Sequence, residues 1–190
     1  MADIDAEAWA DALDLFEHRW AFVAVASREH EEWWYDVASI MRLETQDPRG
    51  WKSLDPHEGE DERQEDPIFP FKAPPTNASD VDACRKRVRE LPRASVERLL
   101  VTLATGWLDV TREWDFERRR PEMERRARVI LSRFPPETCF YANTGWGSEV
   151  PDFYVVAATG VNPFTQYIAD AGLIAVTDAE VATFWSFDAT

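Results

Sequence analysis

Large apolar side chains recur at helical spacing near the start of the chain. Four of them follow one another at steps of four, three and four: Trp9, Leu13, Phe16 and Trp20. This spacing places side chains on one face of an α-helix and predicts an amphipathic helix over residues 4–20. A short run rich in β-branched and aromatic residues at 21–26 is typical of a buried strand.

Residues 28–44 fit two different periods. Helical spacing connects four apolar residues: Trp33, Val37, Ile40 and Met41. Ser27 is a good helix N-cap, and the acids that follow it suit the positive end of a helix dipole. A period of two connects another set: Tyr35, Val37, Ser39, Met41 and Leu43. The pattern therefore leaves helix and strand open for this segment.

Residues 45–79 combine proline with acidic residues. Six of the twelve prolines lie here, together with an acid-rich run at 55–66. Because proline removes backbone donors and interrupts helices and sheets, the segment is predicted to be a long irregular loop. Trp51, Phe69 and Phe71 lie within it, and we expect such aromatic residues to pack onto the body of the protein or onto a partner.

The middle of the chain is predicted to be helical and basic. A short arginine-rich helix is expected after Asp80, ending near Pro92, and the clearest core helix follows Ser95. Pro121 is a suitable first position for a third helix, which the proline pair beginning at Pro135 ends.

The last part of the chain reads as sheet. Alternating residues predict strands at 138–142 and 153–158, joined as a hairpin by turn residues, and a third strand at 173–176. Thr177 with Glu180 three residues later has the capping-box pattern, which predicts a terminal helix.

Together these elements predict a single α+β domain over residues 1–190, with helical N-terminal and middle segments and a small, mostly antiparallel sheet completed near the C-terminus. The chain has 190 residues, of which 45% are hydrophobic and 13% aromatic. A chain of this size buries about 70% of its unfolded surface, which is enough for one sizeable core.

Charge is separated into three blocks along the chain. Residues 1–83 carry 21 acids and 7 bases, residues 84–133 carry 8 and 14, and residues 134–190 carry 7 acids and no Lys or Arg. A net charge of −15 attracts basic partners and repels nucleic acid and anionic lipid. We therefore expect a basic protein partner and neither nucleic acid nor membrane.

The arginines of the middle block are expected to pair with carboxylates of the two acidic blocks. The residues concerned lie in the third predicted helix: Arg125, Arg126, Arg128 and Arg133. Surface pairs of this kind each contribute little stability, but they would hold the three charge blocks together.

Signals for common cofactor or metal chemistry are lacking in the sequence. It contains no phosphate-binding loop, dinucleotide fingerprint, nucleophile elbow or zinc-protease motif. His30 lies among acids, but adjacent residues on a helix diverge and chelate poorly; His18 could reach it only by tertiary packing, and His57 lies in the acidic loop. We therefore predict no cofactor and no metal ion.

Cys84 and Cys139 are predicted to be small buried apolar residues, because their spacing suits neither zinc nor a disulfide framework. The first acids of the sequence, Asp3, Asp5 and Glu7, do not fit the cationic start of a secretory leader, and no uncharged apolar run of about 18 residues occurs. A cytoplasmic location is the expectation that follows.

Two sets of residues could serve an enzyme. Glu113, Asp115 and Glu117 flank Trp114 and Phe116, and a carboxyl held against an indole can have its pKa raised into the range of a general acid. A polar set around a tryptophan could line a cleft: Asn143, Thr144, Trp146, Ser148, Asp152, Gln166 and Asp170.

The favoured binding cluster is six consecutive residues: Glu31, Glu32, Trp33, Trp34, Tyr35 and Asp36. Three adjacent aromatics span about 200° of a helix and cannot all face one core, so at least one is expected to be partly exposed. An exposed aromatic ringed by acids resembles an anchor for a basic partner.

The leading hypothesis is an acidic cytoplasmic binding protein, of the kind that serves as a stoichiometric inhibitor or immunity-type antidote of a basic, nuclease-like protein. A small carboxylate-based enzyme with a tryptophan-lined cleft is the alternative, and a subunit or scaffold of a larger assembly is the third. The sequence leaves the oligomeric state open.

Overall fold

The structure is a computed structural model that describes residues 4–16, 20–56, 66–159 and 162–187. Within these ranges the chain forms the following helices: α1 Ala6–Leu13, α2 Trp33–Met41, α3 Ala78–Arg85, α4 Arg93–Leu103 and α5 Phe116–Ser132. It also forms the following strands: β1 Ala21–Ser27, β2 Arg89–Leu91, β3 Cys139–Ala142, β4 Asp170–Val176 and β5 Glu180–Phe187. The α+β class predicted from the sequence is confirmed.

The strands form one sheet in the order β1-β5-β4-β3-β2, and every neighbouring pair is antiparallel. Strands β4 and β5 lie in the middle, and all their residues are buried. Because both faces of β4 are covered, its sequence does not alternate between apolar and polar residues but is apolar throughout after Asp170.

Helices cover both faces of this sheet. Leu173 and Ala175 of β4 belong to the core under α1, α4 and α5, whereas Ile174 and Val176 belong to the core under α2 and α3. Side chains of a strand point alternately to its two faces, so one strand supplies both cores. None of the helices of the described ranges combines the length and apolar content needed to cross a lipid bilayer.

One close approach within the sheet requires glycine. Gly172 pairs with Trp185 across β4 and β5, and a Cβ atom added at Gly172 would lie 2.0 Å from Cε3 of that indole. The indole therefore lies flat over a position that only glycine leaves open.

The ambiguous segment 28–44 is helical, but its helix starts later than the acids suggested. Glu32, not Ser27, is the N-cap of α2, and its carboxylate accepts the Trp34 backbone N–H at 3.3 Å. Residues 28–31 form the approach to the helix instead, because their backbone groups bond to the side chains of Arg28 and Asp36.

The acidic loop at 45–79 is irregular over its described parts up to α3, and its aromatic residues pack onto the body. Trp51 lies 6.1 Å from the ring of Trp9, and Phe71 meets Phe22 edge-on at 5.1 Å. Leu54 forms a two-bond bridge with Val23 of edge strand β1. The loop thereby shields part of an edge that could otherwise pair with another chain.

Three elements predicted from local patterns are wrong. Thr177 and Glu180 close the hairpin between β4 and β5 rather than cap a helix, since the Thr177 hydroxyl accepts the Glu180 backbone N–H at 2.7 Å. Residues 153–158 form turns, and β3 pairs with β2 and β4 instead. Residues 89–91, placed in a basic helix, are strand β2.

Two smaller predictions also need correction. The third helix begins at Phe116, so Pro121 lies inside α5 rather than at its first position. Cys84 is buried as expected, whereas Cys139 is exposed, because it begins β3 on the face opposite to the buried Phe140.

A buried guanidinium joins the three charge blocks. Arg133 donates to Asp47 at 2.7 and 3.1 Å and to Glu180 at 3.0 and 3.1 Å, and its side chain is 0% exposed. It also lies 4.8 Å from the ring of Trp9 and 5.0 Å from that of Trp51. Burial disfavours its charged form, but the bonds with Asp47 and Glu180 prevail and the pKa of Arg133 is raised.

Arg133→Met should lower the free energy of unfolding by about 3–5 kcal/mol, because it leaves the buried Asp47 carboxylate without its cation and leaves Glu180 with only the more exposed Arg49. Arg125→Met is the matched control, since Arg125 makes its ion pairs with Asp11 and Glu122 at the surface and should cost less than about 1 kcal/mol. Urea unfolding of both variants measures the difference. Equal losses would contradict the role assigned to Arg133.

Candidate functional site

The approach to α2 is attached to the hairpin turn between β4 and β5 by one arginine. Arg28 donates from its side chain to the carbonyls of Glu31 at 3.0 Å and Thr177 at 3.1 Å. Its backbone N–H donates to the Ala179 carbonyl at 2.8 Å. Residues 28–32 therefore lie on the turn at 177–180, and the side chains of both segments share one end of the sheet.

Asp36 holds the same segment from inside α2. Its carboxyl group accepts the backbone N–H groups of Glu29 at 3.2 Å and His30 at 3.4 Å, and His30 Nδ1 lies 2.6 Å away. Asp36 is only 2% exposed. A cavity of about 170 Å³ opens beside it and is also lined by Glu29, Ser39 and Glu44. Asp36 thus positions its neighbours rather than facing solvent.

The three aromatics of the predicted binding cluster differ in exposure. Trp34 is fully buried and stacks on Phe164 with ring centroids 5.9 Å apart. Trp33 stacks on Tyr141 at 4.9 Å and is half-buried, as is Tyr35. The expectation that at least one aromatic is partly exposed is confirmed, and Trp34 is a core residue.

The two glutamates of the cluster also differ. Glu32 pairs with Arg85 and caps α2, so its charge is used within the fold. Glu31 is exposed, and its side chain has no basic partner among the described residues. Only Glu31 is therefore available to an external cation.

Several exposed acids without an ion pair lie at this end of the sheet. We call four exposed carboxylates the acidic edge: Glu29, Glu31, Glu137 and Asp178. The β3 and β4 register pairs Cys139 with Val176, so Glu137 and Asp178 flank the same end as Arg28. Within the described ranges none of the four has a basic side chain at ion-pair distance.

The arginines of the described residues, by contrast, are engaged inside the molecule. Arg125 and Arg126 pair with Asp11, Arg128 pairs with Glu97, and Arg98 pairs with Asp152. Other arginines bond to backbone carbonyls: Arg28, Arg87, Arg89 and Arg93. The predicted pairing with the acidic blocks is confirmed for Arg125, Arg126 and Arg133, whereas the acids that Arg128 contacts lie in its own block.

The carboxylates around Trp114 do not suit a general acid. Asp115 bonds to Arg118, which lowers the pKa of that carboxyl, and Glu113 lies 3.5 Å from Arg119. Trp114 is 92% exposed at the mouth of a cavity of about 530 Å³. The cavity is tryptophan-lined as the enzyme hypothesis requires, but its carboxylates are neutralised by arginine.

The polar set at 143–170 is divided between core and surface. Asn143 and the backbone of Thr165 donate to Asp170 at 2.9 and 2.6 Å, and burial raises the pKa of this fully buried carboxyl. These contacts tie the loop before β4 to the sheet. Four other members line an open groove of about 440 Å³: Thr144, Trp146, Ser148 and Asp152. Gln166 is exposed and does not line that groove.

In the described part of the chain, no group of three His, Cys, Asp or Glu residues lies close enough together to hold a metal ion. His18 and His57, considered with His30 as ligands, lie outside the described residues.

Comparisons with protein-family models, with curated proteins and with solved structures found no match.

Sequence reasoning found Glu31 but missed most of the acidic edge. Glu137 and Asp178 lie more than 100 residues from Glu31, and no local pattern distinguishes them from other solvated acids. Only the register of β3, β4 and β5 brings them to one end of the sheet.

Asp36→Asn should lower the free energy of unfolding by about 1–3 kcal/mol, since the amide nitrogen would face the N–H donor of His30. It should also speed amide hydrogen exchange at residues 29–31. Glu44→Gln alters an exposed carboxylate of the same cavity and should stay within about 0.5 kcal/mol of the native protein. Native-like exchange in Asp36→Asn would show that Asp36 does not hold the loop.

Proposed function

We propose that this protein binds a basic protein through its acidic edge and acts as a stoichiometric inhibitor, of the immunity type, of a nuclease-like partner. The observation that carries the proposal is the imbalance of ion pairs: the described arginines are engaged inside the molecule, whereas Glu29, Glu31, Glu137 and Asp178 remain exposed without a cation. Ammonium and guanidinium groups are the natural complements of such carboxylates.

The rigidity of the acidic edge supports a specific contact. Arg28 and Asp36 hold the backbone that carries Glu29 and Glu31 at both ends of the segment, so little conformational entropy is lost when a partner binds. Half-buried Trp33 and Tyr35 lie on the adjoining first turn of α2. Aromatic contact area beside fixed charge is typical of binding hot spots.

The net charge supports the inhibitor role in particular. A nuclease binds a polyanion through a basic surface, and that surface is attracted to a protein of net charge −15. Electrostatic steering raises association rates, which is what an antidote to a harmful enzyme requires. The carboxylates of the acidic edge would then occupy the positions where the enzyme otherwise contacts phosphates.

The test is affinity capture from host lysate treated with nuclease, at about 50 and 300 mM salt, followed by purification of the retained protein. We expect a basic protein whose association rate falls by at least about tenfold between these salt concentrations. One equivalent of this protein should abolish its nuclease activity. No retained basic protein, or an association rate independent of salt, would contradict the proposal.

Charge variants locate the contact. Glu29→Gln, Glu31→Gln and Asp178→Asn together should slow association by about tenfold or more. Glu7→Gln, Glu90→Gln and Glu149→Gln remove the same charge from exposed glutamates away from the acidic edge and should have a much smaller effect. Equal effects of the two triple variants would show that net charge, and not the acidic edge, drives binding.

A further inference from the structure

The large exposed apolar side chains are not scattered over the surface. Apart from Leu43, those of the described residues lie at the end of the sheet opposite the acidic edge. We call the six main ones the apolar end: Trp107, Trp114, Trp146, Val155, Val156 and Ile168. Monomeric proteins seldom expose contiguous apolar surface of this kind, and it typically marks an interface.

Contacts between their segments bring Trp107, Trp114, Trp146, Val155 and Val156 near one another, and Ile168 lies at the same end of the sheet. The Leu108 carbonyl accepts the Ala158 backbone N–H at 2.7 Å, which joins the segment of Trp107 to that of Val155 and Val156. Val155 and Val156 line the 440 Å³ groove together with Trp146. Tyr154, the residue before Val155, lines the neighbouring cavity with Trp114.

The backbone at Trp107 is strained in a way that exposes its indole. Trp107 and Leu108 have φ angles of 58° and 54°, a region that non-glycine residues adopt at a cost. The bond from Ala158 to Leu108 and the bond from Gly106 N–H to the Glu113 carboxylate hold this turn. Leu108 is thereby buried while Trp107 stays 56% exposed. Strain that is retained around an exposed indole favours a role for that indole in binding.

Charge at the apolar end is balanced, unlike that of the whole chain. Residues 106–120 contain four acids and four bases. Asp152 of the groove pairs with Arg98, and Arg89 lies against the carbonyls of Ser148 and Glu149. A basic partner therefore finds no excess of negative charge here, and another copy of this acidic protein meets no local repulsion.

We infer that the apolar end is the interface of a homodimer, in which two copies meet with their acidic edges pointing away from each other. Strand β5 has 8 residues and spans about 26 Å, so the two acidic edges would lie more than about 50 Å apart. That is several times the Debye length of about 8 Å at physiological salt. Two chains of net charge −15 can therefore associate at this end.

The exposed area is of the right order. Trp107, Trp114 and Trp146 are 56%, 92% and 45% exposed, which together equals about two indoles, or on the order of 400 Å². A standard interface buries roughly 800 Å² per partner. Val155, Val156 and Ile168, which are 72%, 48% and 93% exposed, supply much of the remainder.

Sedimentation velocity from about 1 to 100 μM protein tests the inference. We expect a species of twice the 21.9 kDa chain mass, with a dissociation constant that changes less than about threefold between 50 and 300 mM salt because the interface is apolar. A 21.9 kDa species at every concentration would overturn it. This test needs no partner protein, so its failure is distinguishable from failure of the proposed function.

Variants place the interface. Val155→Asp and Trp114→Ser alter exposed side chains and should each yield monomer with an unchanged far-ultraviolet spectrum and unfolding midpoint when compared at low concentration. Leu43→Asp is the control, because Leu43 is exposed outside the apolar end and its positive φ is tolerated by aspartate. Dimers that persist in both test variants, or that dissociate equally in the control, would exclude the apolar end as the interface.

Discussion

The ion pairs of Arg133 with Asp47 and Glu180 are the constraint on which the rest of the fold depends. They join the end of α5 to the acidic loop and to the first residue of β5, one contact for each charge block of the chain. A buried cation is costly unless its hydrogen bonds are satisfied, and here two carboxylates and two indole faces surround it. If the three blocks separated, Arg133 or its carboxylate partners would be left buried without an opposite charge.

Hydrogen bonds and ion pairs of arginine within the molecule also explain why the two ends of the sheet differ in charge. The described arginines pair with acids of their own or another segment, or they donate to backbone carbonyls, as Arg28 and Arg93 do. Four of the exposed acids without a basic partner among the described residues lie at one end of the sheet, in the turns after β1 and β4 and before β3. The opposite end of the sheet keeps balanced charge and exposed indoles. One end therefore suits a basic protein, and the other suits an uncharged contact.

Local sequence patterns predicted secondary structure correctly where a single hydrophobic period dominated. They failed where a helix cap and a hairpin turn use the same short-range hydrogen bond. The core helix predicted after Ser95 is α4, in which Val96, Leu99 and Leu103 are buried. Thr177 followed by Glu180 was read as a helix cap, but a threonine hydroxyl that accepts an N–H three residues later serves a hairpin turn equally well. Tertiary pairing of β5 with both β1 and β4 decided between them.

The sequence by itself determined the class of fold, the helical core of the middle segment, the pairing of arginines with acids and the presence of partly exposed aromatics near α2. These properties follow from composition and from spacing over a few residues. The tertiary structure alone decided which aromatic is buried, which acids are left without partners and which of these lie at the same end of the sheet. Glu31, Glu137 and Asp178 are far apart in the chain, and only strand register, a long-range property set by the packing of both sheet faces, brings them to one edge.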